Sequence, residues 1–355
     1  RDPSLYREAY IGMFDLSKGI LMLQIIHHHT LNRLGGMEYL LRQQPEAVQL
    51  LLSPLNFLQY GFIPLLFILC GYGVRLQPVK NCVRQSLRQL LPPYCCVALA
   101  VLVLTLLQWL LLKGSLWERL LYHVLPLLLG YHAGARFFGD AIGSIGPLWF
   151  VLSYFLGVMY LNILARGRPL WLQTVLLAGG TTLALYFTEL PLPFCVQQVL
   201  ICASFLFLGM QMKRFRLHRE KLRLSFVVPA VLLCVAASRR NGYVDFSINA
   251  FNWGAADVMV ACLAGIALFF LYLRLNVLQG SLPDGLRWIG RHMMWICCIH
   301  TVSDCMLPWG RFLRLFGSHT AAGVLAITVI NTAMAVVGCW LLEEIIKRRK
   351  SAFSQ

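Results

Sequence analysis

Ten stretches of about twenty mostly apolar residues recur along this chain of 355 residues, and a helix needs roughly that many to cross a bilayer. They fall at about 11–31, 55–76, 91–112, 147–165, 170–187, 194–212, 225–240, 255–275, 288–308 and 320–346. Hydrocarbon offers no partner to backbone N–H and C=O groups, so segments of this kind fold as helices. Charged residues make up only 13% of the chain against 58% hydrophobic, whereas a soluble domain carries about 25% charged residues. With a mean hydropathy of +0.67, the composition excludes soluble domains, disorder, coiled coil and a disulfide-stapled secreted module. The expectation is an all-α polytopic membrane protein, with residues 1–355 forming one membrane domain.

Charge orients the spans. Lys and Arg number 31 against 15 Asp and Glu. In a soluble protein this excess would point to nucleic acid; here it follows from the way cytoplasmic loops collect Lys and Arg, and no nucleic-acid partner is expected. Ten spans with the N-terminus inside place twenty cations on the cytoplasmic side and nine outside. The inner groups include Arg75, Lys80, Arg84 and Arg88, the run 213–223 and the tail 347–350, the last two expected at inner-leaflet lipid. A further stretch, 118–133, is short and holds Glu118, Arg119, His123, Pro126 and His132. Were it to cross, it would split the basic clusters between faces, so it is expected to be a re-entrant or outer-surface helix, with both termini cytoplasmic. No charged-then-apolar leader opens the sequence at Arg1, so no signal peptide is expected. The twelve cysteines lie mostly in apolar runs without CxxC spacing, and read as small packing residues.

Ionisable groups inside a span are expensive and by default mark a function. The first span holds the densest set: Asp15, Lys18, His27, His28 and His29. At 100° per residue Lys18 and His29 differ in direction by about 20° and in height by roughly 16 Å, with Asp15 within about 40° of the same line. One stripe therefore runs Asp15, Lys18, Met22, Ile25, His29, while His27 and His28 point elsewhere. Such a stripe offers a cation near the cytoplasmic mouth and a deep imidazole suited to general-base work. The plainer alternatives are a snorkelling lysine and a hydrogen-bonded core histidine. A metal is not expected, because three consecutive helical histidines diverge by 100° each.

The segment Asp15-Leu-Ser-Lys18, with ten residues between Lys18 and His29, resembles the opening signature of the integral-membrane acyltransferase 3 family. Further pieces follow in the family's order. Phe67-Ile-Leu-Cys70-Gly71-Tyr72 is similar to its Phe-rich run ending in Ser-Gly-Tyr or Ser-Gly-Phe. Arg84 and Arg88 before Leu91-Pro92-Pro93-Tyr94 resemble its basic loop and the start of its third span. Pro147-Leu148-Trp149-Phe150, Phe207-Leu208-Gly209-Met210, and Ile289-Gly290 with His300 ten residues on resemble later landmarks. Asn241-Gly242-Tyr-Val-Asp245 is similar to the sugar O-acetylase branch. The resemblance covers nearly the whole chain. Lys18 stands where Arg is usual and Cys70 where Ser is usual; Lys keeps the charge but gives up the bidentate fork.

The resemblance implies transfer of an acyl group, acetyl first among them, from cytoplasmic acyl-CoA to a hydroxyl of a cell-envelope glycan or lipid. It places the protein as a multi-pass protein of the plasma membrane, of the bacterial inner-membrane type, with acetyl-CoA as donor and no metal. Acyl transfer from a thioester needs a base, a donor to the oxyanion and a dry passage. On that reading Lys18, Arg75, Lys80, Arg84 and Arg88 meet the CoA phosphates, and His29 takes the acceptor proton. Asp15 pairs with Lys18, and Tyr72 lies on the donor side as a possible oxyanion donor. Trp149, His300, Asn241, Asp245, Glu118 and His123 are acceptor-side candidates; for Tyr72, Trp149 and His300 structural packing is at least as strong a reading. A rival of another class is a transporter or flippase for an acyl group, amino acid or lipid-linked sugar, which would also bury charge at mid-membrane.

Overall fold

A computed structural model of the chain describes residues 3–33, 56–131, 136–137, 140–188, 192–217, 224–241, 244–276, 278–309, 311–312 and 321–353. Each predicted span is met by helix. The principal helices are α1 (Pro3–Arg33), α2 (Asn56–Gly73), α3 (Val79–Leu112), α4 (Leu116–Arg119) and α5 (Leu125–Leu129). They continue with α6 (Trp149–Ala165), α7 (Leu170–Tyr186), α8 (Val196–Arg214), α9 (Leu224–Asn241) and α10 (Ala255–Leu275). The last three are α11 (Ser281–Arg291), α12 (Met293–Met306) and α13 (Ala321–Phe353). Two-residue strands at Arg136–Phe137 and Asp140–Ala141 form the one sheet among the described residues. Among the described residues, five helices are long and apolar enough to cross a membrane: α3, α6, α8, α10 and α13. Four shorter apolar helices coincide with further predicted spans: Tyr60–Gly73, Leu170–Tyr186, Val227–Ala237 and Met293–Met306. This is an all-α membrane protein.

The fold divides into two compact units. One comprises Arg1–Pro45, Pro93–Lys113 and Leu278–Gln355; the other comprises Glu46–Pro92 and Gly114–Val277. In the first, α1 crosses α11 with no side chain between them. A Cβ on Gly19 would collide with the carbonyl of Leu286, and one on Gly290 with the carbonyl of Asp15. Lipid tails are as apolar as leucine, so helices in a membrane gain most from close backbone approach, which small residues permit. Below Arg33, Leu31 joins Trp309, Val324 and Ile327 in a buried cluster that ties α1 to α13.

The predicted span 288–308 is divided in the structure. Ser281–Arg291 forms its own helix, the chain turns at His292, and the apolar helix begins at Met293. The cause is a change of pattern. Leu282, Leu286 and Ile289 share one face while Asp284, Arg287 and Arg291 share the opposite one, which suits an interfacial helix rather than a crossing one.

In the second unit, α2 and α8 cross in the same close manner, since Cβ atoms on Gly71 and Gly209 would meet the carbonyls of Leu206 and Ile68. The stretch set apart at 118–133 is a broken helix of four, five and five residues, with a π-turn at Leu120–Val124 between α4 and α5. It ends at Gly130, whose φ of 66° suits the left-handed cap that glycine adopts without strain. His132 lies outside the described residues.

Candidate functional site

α1 runs unbroken from Pro3 to Arg33, so Asp15, Lys18 and His29 keep the spacing of one helix. Met22 and Ile25 are 0% and 3% exposed, so this face looks into protein. Asp15 pairs with Lys18 one turn away, Oδ1 to Nζ at 3.7 Å, with the lysine side chain 35% exposed and the carboxylate 13%. An ammonium in that setting is neutralised in part while it stays accessible. His29 is half-buried, and its ring meets that of His300 edge to face with centroids 5.5 Å apart and planes at 61°. His28 packs against His29 in the same manner at 5.9 Å. His27 faces α13, with Nδ1 3.2 Å from Thr328 Oγ1. A cavity of about 980 Å3 opens on that flank, bordered by Gln24, His27, Trp288, Ile289, Thr328 and Val336; neither Lys18 nor His29 borders it.

His300 is wholly buried, and it sits in a polar network that sequence reading passed over. Its Nδ1 lies 3.4 Å from Asn331 Oδ1, which also accepts from Ser303 Oγ at 3.0 Å. Asn331 Nδ2 donates to Thr30 Oγ1 at 3.3 Å, and Thr30 donates to the Ile26 carbonyl at 2.8 Å. Four polar side chains from three helices thus share one hydrogen-bonded cluster in a setting where an unpaired polar atom costs several kcal/mol. Asn331 stands alone between Ile330 and Thr332 in an apolar run, and a lone amide in such a run is the signal that would have found it.

In the other unit, Arg84 and Arg88 are exposed on the first turns of α3. With Gln77, Asn81, Gln85 and Gln89 they line a polar groove of about 470 Å3. The i, i+4 spacing sets the two guanidinium stems about 6 Å apart, a distance that suits a phosphate between them. Gln77 anchors the groove: its N–H donates to Asn162 Oδ1 at 2.7 Å and its Nε2 to Gln85 Oε1 at 3.0 Å. Arg75 and Lys80 are exposed but do not border this groove. Tyr72 is buried, its ring stacked on Phe269 at 5.3 Å and its carbonyl accepting from Lys213 Nζ at 2.7 Å.

The remaining candidates lie in this second unit. Trp149 is 4% exposed and packs against Phe67. Glu118 is exposed, and its N–H donates to Ser115 Oγ in the cap of α4. His123 meets Tyr122 edge to face at 5.0 Å. Asp245 Oδ1 accepts from both the N–H and the Oγ of Ser247, and the backbone of Asp245 pairs with Ala250. Asn241 is the last residue of α9, and its side chain lies outside the described residues. A buried carboxylate not foreseen from sequence is Asp257, 0% exposed, which accepts from Tyr60 Oη at 3.2 Å and Trp253 N–H at 2.7 Å. No group of three or more His, Cys, Asp or Glu that could hold a metal occurs among the described residues.

A family model described as an acyltransferase domain, Acyl_transf_3, matches residues 11–344, from the first predicted span to the last. No curated protein matches the chain, and no solved structure matches it.

Proposed function

The chain belongs to the acyltransferase 3 family and is an acyltransferase, and from that premise we propose that it moves acetyl from cytoplasmic acetyl-CoA to a hydroxyl of a cell-envelope glycan. His29 is the general base. The acceptor hydroxyl gives its proton to the imidazole while its oxygen adds to the thioester carbonyl; the C–S bond then breaks and the proton passes to the CoA sulfur. Lys18 supplies positive charge to the donor, tempered by Asp15. The Arg84–Arg88 groove takes donor phosphates, with Arg75 and Lys80 adding to the local positive field. Tyr72 is the oxyanion donor of this reading, and Trp149 a wall of the cavity. Glu118, His123, Asn241 and Asp245 belong to the acceptor side, where their polar groups suit sugar hydroxyls.

The observation that supports this reading most directly is the α1 stripe: an accessible ammonium and a half-buried imidazole on one helix, with buried Met22 and Ile25 between them. The proposed frame is one membrane domain of ten spans in the plasma membrane of a bacterium, with both termini cytoplasmic and the 118–133 stretch at the outer surface. The basic tail at Lys347 and Arg348 meets inner-leaflet lipid.

The test is incubation of the purified protein in bilayers with labelled acetyl-CoA and a cell-envelope extract, followed by identification of the labelled product. An O-acetylated glycan that His29→Ala fails to make supports the reading. Label on protein or lipid only, or an undiminished product from His29→Ala, overturns it.

A further inference from the structure

The polar network around His300 fixes where its hydrogen sits. Thr30 has one hydroxyl hydrogen, and it is committed to the Ile26 carbonyl at 2.8 Å. Toward Asn331 the Thr30 oxygen can therefore only accept, so the amide nitrogen of Asn331 faces Thr30 and the amide oxygen faces α12. That oxygen receives Ser303 Oγ–H at 3.0 Å and lies 3.4 Å from His300 Nδ1. An amide oxygen has no hydrogen to give, so the hydrogen between them belongs to His300 Nδ1. A neutral imidazole carries one N–H, and its other nitrogen, Nε2, is then an acceptor.

The ring that carries this hydrogen is the one that meets His29, 5.5 Å away between centroids. We propose that Asn331 is a positioning residue that holds His300 as the Nδ1–H tautomer, so that His300 Nε2 offers a lone pair to the imidazolium that His29 becomes in acyl transfer. This rests on the general-base reading of His29. The proton taken from the acceptor hydroxyl stays on His29 until it passes to the departing thiolate sulfur; His300 gains none and loses none. Its part is to stabilise the charged form of its neighbour, as a hydrogen-bonded partner fixes the tautomer and basicity of a reacting histidine elsewhere. Thr30 and Ser303 serve by aiming the amide.

The tautomer is read directly from the nitrogen-15 spectrum of the full chain, histidine-labelled and reconstituted in bilayers, with His300 assigned by its loss in His300→Gln. A protonated Nδ1 with a bare Nε2 is expected; a protonated Nε2 overturns the proposal whatever the kinetics. Asn331→Leu should lower kcat about 10- to 100-fold with KM for acetyl-CoA within about twofold. Asn331→Asp keeps an acceptor oxygen facing His300 but sets its second oxygen against the Thr30 oxygen, so its readout is the spectrum, in which His300 Nδ1 should stay protonated. An Asn331→Leu protein with unchanged kcat, or an Asn331→Asp protein whose His300 carries its hydrogen on Nε2, refutes the positioning role. The base reading fails separately, if His29→Ala keeps its kcat while the Asn331 series behaves in either way.

Discussion

His29 and His300 come from helices some 270 residues apart in sequence, yet their rings meet edge to face with centroids 5.5 Å apart. On the proposed reading His29 is the group that takes the acceptor proton, so it acts in the chemical step itself. Removing the His29 imidazole should therefore abolish the chemistry rather than weaken binding. His29→Ala is expected to lower kcat about 100- to 10,000-fold, with thermal stability nearly unchanged because the ring is only half-buried. Single-turnover transfer of labelled acetyl checks this.

Lys18 and Asp15 form a partly exposed pair at 3.7 Å, and such pairs add little to stability. Asp15→Asn should shift unfolding by no more than about 0.5 kcal/mol. Lys18→Ala should raise KM for acetyl-CoA more than it lowers kcat, and Lys18→Arg should retain function, since the charge persists and the fork is added. Steady-state kinetics on the three variants separate these effects.

Arg84→Ala and Arg88→Ala should each weaken acetyl-CoA binding by about 10-fold or more, the loss of a charge-assisted hydrogen bond. The difference between parent and variant should shrink as salt rises, because exposed charges are screened within about 10 Å at 0.1 M. Binding isotherms at two ionic strengths test this; equal affinities at low salt would remove the groove from the donor site.

Asp257 accepts from Tyr60 Oη and the Trp253 N–H while fully buried. Asp257→Leu should lower stability by about 1–3 kcal/mol for each buried donor it deprives of this acceptor, while Asp257→Asn should cost less because an oxygen remains. Thermal unfolding in detergent compares the two.

Much of this architecture could be read before any coordinates, and the exceptions have physical causes. The α1 stripe was legible because helical periodicity is rigid: Lys18 and His29 share a face at any tilt, and Met22 and Ile25 between them are buried as that geometry requires. The division at His292 was not, because Trp288, Ile289 and the apolar residues after Met293 form one unbroken hydropathy run. Only the opposed faces of Leu286 and Arg287 betray an interfacial helix there. Asn331 was hidden for another reason. A single amide within an apolar span carries no period, and its partners Thr30 and His300 are 301 and 31 residues away. The Arg84–Arg88 pair was visible, but the glutamines that shape its groove look like ordinary polar filler in sequence.

The crossing of α1 over α11 is a joint without compliance. Carbonyl oxygens occupy the places where the first side-chain carbons of residues 19 and 290 would otherwise sit, so no rotamer can absorb a displacement. Any side chain larger than hydrogen at either position would thus part the two helices at the turn that carries Asp15 and Lys18.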